Sequence, residues 1–262
     1  MRAESDSNGG VEFHAAQNGK AASDKAFALI EQCPELRAGT RTVDATGATI
    51  QLDQLSVAGR DGMSPYLLSA HIMPGQVAVL TGANGAGKST AIQALAGLVT
   101  PTGGRVRVDG VNVADLDRAA WWRQLSWLAQ RPVLVPGTVA ENLALFGPLA
   151  DLESVCRAAG FDEVLADLPD GLDTVLGRGG TRLSLGQRQR LGLARALGSK
   201  APVLLLDEPT AHLDEVTEAT VLRAISERAR AGATVVVVAH RDSVLAIADE
   251  VIRVEADRHA TV

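Results

Sequence analysis

Three uninterrupted apolar runs stand out along the chain: Val77-Ala78-Val79-Leu80, Val203-Leu204-Leu205-Leu206 and the stretch from Thr234 to Ala239. Helix-like patterns separate them, and each runs into polar residues. Strands that are apolar on both faces and joined by helices predict a parallel sheet covered on both sides, with ligand groups beyond the strands' carboxyl ends. Leu125-Ser126-Trp127-Leu128-Ala129 is another strand-like run. A second, alternating pattern marks IQLDQLSV (50–57) and GRVRVDGVNV (104–113), where Asp109-Gly110 predicts a hairpin. A helix is expected after the glycine-rich segment that follows Leu80, to about Leu98. Residues 138–200 lack strand alternation and read as helical. Within them Leu191, Ala194 and Leu197 form a stripe at helical spacing, while Arg188 and Arg195 share another face, read as solvated or as an interface.

Upstream, residues 1–10 (MRAESDSNGG) read as a disordered or vector-derived start. In VEFHAAQNGKAASDKAFALIEQ, Ala22, Ala26, Leu29 and Ile30 fall on one helical face before Pro34, and 38–49 reads as a linker of small polar residues. That helix has a face to bury and no evident partner.

At 262 residues, 46% hydrophobic and 21% charged, the composition is that of a soluble globular chain with one large domain, or one domain plus an appendage. The net charge of −6 gives it no overall attraction for polyanions. Cys33 and Cys156 have no metal-ligand spacing and read as reduced packing residues of a cytosolic protein. No secretory signal is seen, and no apolar run approaches the roughly 18 residues that a membrane-spanning helix needs.

Gly82-Ala83-Asn84-Gly85-Ala86-Gly87-Lys88-Ser89, followed by Thr90, matches a phosphate loop placed between a buried strand and a helix. Its N–H groups and the helix start suit phosphate oxygens; Lys88 would bridge β- and γ-phosphates and Ser89 would ligate Mg²⁺. Kinases and switches share such a loop. Hydrolysis needs more, and Asp207-Glu208 supplies it: Asp207 for the magnesium shell, Glu208 to orient or deprotonate a water. Gln130 could contact magnesium or that water, and His240 could reach the γ-phosphate. TRLSLGQRQRLGLARAL (181–197) presents the Ser184 hydroxyl and Gly186 N–H at a helix start. No aromatic residue interleaves with its arginines, which argues against a nucleic-acid surface.

Together these residues resemble the nucleotide-binding domain of an ATP-binding cassette transporter over about 48–256. The motifs stand in the family's order: phosphate loop, Q-loop glutamine Gln130, signature Leu183-Ser184-Leu185-Gly186-Gln187, Asp207-Glu208, the dimer loop Ala211-His212-Leu213-Asp214 and the switch His240. The resemblance implies an α/β fold with a P-loop NTPase core, an antiparallel β subdomain and a helical subdomain (138–200), leaving 257–262 as a tail. It implies ATP and Mg²⁺ as ligands, the metal held by Ser89, Gln130 and Asp207, and catalysis by Glu208, His240, Gln130 and Lys88. It also implies a head-to-tail dimer, each ATP lying between one subunit's phosphate loop and the other's signature, with no nucleic-acid partner. Two departures are evident. Leu185 stands where the family keeps glycine, and 57–62 (VAGRDG) lacks the aromatic residue on which the family stacks adenine; Tyr66 reads as packing.

Gly137-Thr138-Val139-Ala140-Glu141-Asn142-Leu143 resembles the exporter segment that receives a coupling helix. Residues 11–47 resemble the linker leaving a transmembrane domain, so the expectation is an excised cytoplasmic-face domain of a membrane exporter, soluble alone. WWRQLSWLAQRPVLVPGTVAENLALF and the altered signature are most similar to the CydD-type subunit of the heterodimeric cysteine/glutathione exporter for cytochrome bd assembly. That implies thiol export and a different half-transporter as partner. The alternatives are an exporter of peptide, lipid or drug, or a low-turnover nucleotide switch.

Overall fold

The computed structural model describes residues 39–147, 149 and 151–257. The polar start, the upstream helix and Cys33 lie outside them, as does the tail from 258 on. Five parallel strands form the centre, in the order Glu250–Arg253, Val77–Thr81, Thr234–Val238, Val203–Asp207, Leu125–Leu128. Alternate side chains enter two separate cores. Val77, Val79, Leu204, Leu206, Val235 and Val237 join one; Ala78, Leu80, Val203, Leu205, Val236 and Val238 join the other. Burial on both faces is why these strands read as unbroken apolar runs.

The second core is closed by a four-stranded antiparallel sheet, ordered Leu68–Ile72, Ile50–Ser56, Gly103–Val108, Val111–Asn112. Asp109 and Gly110 join its last two strands with φ of 46° and 79°, the left-handed pair that a two-residue hairpin turn requires. Leu68–Ile72 alternates buried and exposed residues and is a strand that the pattern reading leaves out. The helix Lys88–Leu95 packs into this same core through Ala91, Ile92, Ala94 and Leu95. It stops short of the predicted Leu98 because Gly97 turns left-handed, φ 69°. Trp121 Nε1 donates to Leu95 O at 3.1 Å and Trp122 Nε1 to Ala96 O at 2.8 Å, satisfying carbonyls at the helix end.

The first core holds the helices Phe161–Asp167, Leu185–Gly198 and Glu215–Arg230 through residues such as Phe161, Leu191 and Ile225. Two further helices, Val139–Leu143 and Leu152–Ala158, complete the lobe over 138–200. It is not wholly helical: Gly137–Thr138 pairs antiparallel with Val175–Leu176, and two-residue strands are too short for alternation to register. The arginine face is also corrected. Arg195 is buried, with Nη1 donating to Val133 O at 3.1 Å and its guanidinium 4.9 Å from the Phe146 ring centre. Arg188 folds back onto the loop before its own helix, donating to Leu183 O and Gly179 O at 3.1 and 3.0 Å. Both guanidiniums find carbonyls that no helical wheel displays.

Cys156 is a free thiol packed in the first core, where burial, and then Asp162, push its pKa up to about 11. The expected linker is anchored from Arg41 on: Arg41 N bonds Asp115 O at 3.0 Å, Ala45 N bonds Gln124 Oε1 at 2.7 Å, and Ala45 and Ala48 are buried. Among the described residues no helix is long and apolar enough to cross a membrane.

Candidate functional site

The register of the central sheet assembles the site. Leu80 lies opposite Val238, Val237 opposite Leu206, and Leu206 opposite Leu128, so the four strands end nearly flush. Beyond those ends come the phosphate loop, His240, Asp207-Glu208 and Gln130. One edge of the sheet therefore gathers all four groups that the sequence singled out.

The loop's shape depends on glycine where other backbone comes close. A Cβ on Gly82 would lie 2.3 Å from Val254 O, and one on Gly87 would lie 2.3 Å from Pro65 N; both residues have positive φ. Ser64 Oγ donates to Gly85 O at 2.7 Å, bracing the loop from outside. Lys88 is buried, and its ammonium donates to Gly82 O and Ala83 O, each at 2.9 Å. Ala83, Asn84 and Gly85 are exposed, Ala86 is buried, and Ser89 and Thr90 lie half-buried in the first helical turn.

Asp207 ends its strand buried, and its Oδ1 has no hydrogen-bond partner. Burial raises its pKa, while the Ser89 hydroxyl and the Lys88 ammonium favour the charged form. An orphaned buried carboxylate oxygen beside a hydroxyl is a donor set that fits a small hard cation. Glu208 then turns left-handed, φ 53°, a strained conformation for a non-glycine residue. Its Oε1 stands 3.8 Å from His240 Nδ1, and the His240 side chain is 65% exposed. Gln130 is exposed two residues beyond its strand.

The signature residues sit elsewhere. Ser184 caps the helix Leu185–Gly198 in a reciprocal box: Gln187 N donates to Ser184 Oγ at 3.2 Å, and Ser184 N to Gln187 Oε1 at 2.8 Å. The hydroxyl accepts within the cap, so its proton is left to donate outward. Leu183 is buried, a Cβ on Gly186 would meet nothing within 4 Å, and Leu185 is 51% exposed. This helix packs in the core on the opposite face of the sheet from the phosphate-loop helix.

Charge singles out the same two helix starts. Among the described α-helices only Lys88–Leu95 and Leu185–Gly198 have neither an acidic cap nor an acidic residue in the first turn. The first also has no side-chain cap at all, Gly87 preceding it with φ 97°. Both ends keep their positive dipole unopposed, as anion binding needs.

In the loop Ala211–Asp214, Ala211 N bonds Glu208 O at 3.1 Å, His212 is exposed with φ 63°, and Leu213 is buried. Asp214 caps the helix Glu215–Arg230, and the backbone N–H of Thr217, then its hydroxyl, hold its carboxyl below the usual range. The sequence reading missed Ser64, Glu218 and Arg190. Arg190 joins the signature helix to Gly160 O at 3.0 Å and to Asp214 Oδ2 at 3.7 Å. Such pairings across the chain leave no periodic signal; only the Asp214-x-x-Thr217 cap was open to inspection.

Residues 67–211 match the model of the ABC transporter family. Over 230 residues the chain is 43% identical to the mycobactin import ATP-binding/permease protein IrtB of Mycolicibacterium thermoresistibile, covering 86% of this chain and 40% of that protein. It is 37% identical over 247 residues to the ATP-dependent lipid A-core flippase of Burkholderia orbicola, covering 92% and 41%. A solved bacterial Atm1-family ABC exporter with ATP bound superposes with a TM-score of 0.76 at 28% identity, covering 94% of this chain and 44% of that one. The chain thus spans about two fifths of the length of the curated relatives it matches. With the phosphate loop, Gln130, the signature and Asp207-Glu208 all inside the matched stretch, the chain belongs to the ABC transporter family and carries its ATPase domain.

Proposed function

We propose that this chain is the nucleotide-binding domain of an exporter half-transporter, coupling ATP-driven dimerisation and hydrolysis to movement of a cargo across a membrane. The observation that carries the reading is the pair of acid-free helix starts, borne by helices that pack against opposite faces of one sheet. A chain that keeps its two anion-ready ends apart needs a second domain to bring a signature onto its ATP. The partner domain belongs to a different half-transporter, and the complex places this domain at the cytoplasmic face of the membrane. The isolated chain is expected to be monomeric and weakly active; a tight ATP-independent homodimer contradicts that.

In the closed dimer the loop N–H groups and Lys88 hold the β- and γ-phosphates, and Lys88 moves from its carbonyl partners onto them. Ser89, Asp207 and Gln130 would hold Mg²⁺, which when bound neutralises charge on the phosphate oxygens. Glu208 orients the attacking water and accepts its proton, while His240 and the signature hydroxyl lent across the dimer stabilise charge on the transferring phosphoryl group. Glu208→Gln is expected to preserve ATP binding and remove most turnover in the assembled transporter. Unchanged steady-state hydrolysis overturns the assignment.

For the cargo we propose a thiol, cysteine or glutathione, in support of cytochrome bd assembly; the support is the similarity of residues 121–146 and of LSLGQ to the CydD-type subunit. The relatives named above are described as acting on mycobactin and lipid A-core, so cargo is tested apart from ATPase activity. Radiolabelled cysteine and glutathione are expected to accumulate in vesicles bearing the assembled transporter. No thiol uptake together with lipid- or siderophore-stimulated hydrolysis overturns the thiol cargo and leaves the ATPase reading standing.

A further inference from the structure

We infer that Glu218 is a positioning residue for the switch His240, clasping the segment behind it to the loop that follows Glu208; the inference rests on the catalytic reading proposed above. Glu218 lies in the first turn of the helix Glu215–Arg230, only 8% exposed, a position where an uncompensated carboxylate is costly. Both its oxygens are used. Arg241 Nη1 donates to Oε2 and Ser243 Oγ donates to Oε1. Arg241 Nη1 also reaches Thr210 O at 3.4 Å.

Glu218 and its partner Arg241 together tie three pieces of chain. These pieces are the residues just after His240, the buried Thr210 two residues after Glu208, and the helix capped by Asp214 of the dimer loop. The adjoining strands are locked side by side by their ladder, Asp207 opposite Val238, but the loops leaving them are not part of any sheet. The short helix Asp242–Leu245 has no side-chain cap, and beneath it Val244 is buried. On its other side the segment opens onto a cavity of about 670 Å³ lined by His240, Arg241, Ser243, Asp214 and Glu218. His240 is exposed toward that cavity, and Arg241 and Ser243, which follow it in the chain, are both held by Glu218. The same carboxylate sits one turn from Asp214, whose carbonyl accepts from Glu218 N at 2.8 Å, so a displacement of the dimer loop is carried directly to the switch segment.

A group that acts by orientation affects the chemical step and leaves ground-state binding alone. In the assembled transporter, Glu218→Ala is expected to lower kcat by roughly 10- to 100-fold with the KM for ATP and nucleotide affinity unchanged. Arg241→Ala is expected to do the same, and the double variant to be no worse than either single one, because the pair acts as a unit. Ser243→Ala, which removes one bond and keeps the ion pair, is expected to give a smaller fall in kcat and to serve as the deciding variant if Glu218→Ala does not fold. Glu218→Gln keeps the shape and one acceptor oxygen and is expected to restore part of the rate. Wild-type kcat in Ser243→Ala and Glu218→Ala, or a loss of kcat accompanied by an equal loss of ATP affinity, overturns the inference. His240→Ala is measured alongside: if it hydrolyses ATP normally, the catalytic reading itself fails, whereas its inactivity beside an active Glu218→Ala removes Glu218 alone.

Discussion

The two helix starts that the chain leaves free of carboxylates differ in how their first-turn donors are handled. Lys88–Leu95 follows a left-handed glycine and has no side-chain cap, so its first N–H groups point into the loop with no partner of their own helix. Leu185–Gly198 is closed by the Ser184/Gln187 box and is satisfied within its own chain. A third helix, Glu215–Arg230, neutralises its start with Asp214, Glu215 and Glu218. The first end offers backbone amides and a buried cation, which suit a phosphate. The second is rigid before any ligand arrives and offers one outward hydroxyl proton, which suits a surface that must meet an ATP held by another domain. Rigid lending and open holding are the two halves of the proposed site.

Lys88→Ala should break the holding half hardest. Removing one preorganised donor of this kind costs about 10²- to 10³-fold in rate, and here ATP binding by this chain should weaken as well. Steady-state hydrolysis and nucleotide titration in the assembled transporter check both. Gln187→Ala removes only the return bond to Ser184 N, so it should lower thermal stability by about 0.5–1 kcal/mol and leave turnover largely in place. Equal losses of turnover in Gln187→Ala and Ser184→Ala would mean that the box, not the hydroxyl, is what matters.

Leu185→Gly should have the smallest net effect. Glycine at the first helical position costs stability by about 0.5–1 kcal/mol at most. It also removes an exposed apolar side chain where the family has none, and turnover at the site lent across the dimer should rise while the melting temperature falls. A fall in both would show that Leu185 supports the contact.

The holding half was legible in the sequence because its chemistry is local: eight consecutive residues, a buried strand before them and a helix after. The Asp109-Gly110 turn was legible for the same reason, each residue's conformation being fixed by its own side chain or lack of one. The lending half was legible as a motif and as a helix start with a buried Leu191, Ala194 and Leu197 stripe, but not in its tertiary contacts. Arg195 has the spacing of a surface arginine, yet carbonyls from residues 133 and 142 take its guanidinium into the interior. Arg190 and Glu218 find partners 23 to 30 residues away, at Asp214, Gly160, Arg241 and Ser243, and no periodicity foreshadows such pairs. The brief Gly137–Thr138 and Val175–Leu176 pairing is a tertiary contact between two loops and has no pattern of its own.

The division of labour is tested most directly by labelling each subunit separately. In the assembled transporter, Ser184→Ala in this chain is combined with photoaffinity labelling by an azido-ATP after trapping of the hydrolytic state. The account predicts that trapped nucleotide disappears from the partner subunit, whose ATP the Ser184 hydroxyl completes, while the phosphate loop of this chain still labels. Loss of label from this chain with the partner unaffected would contradict it.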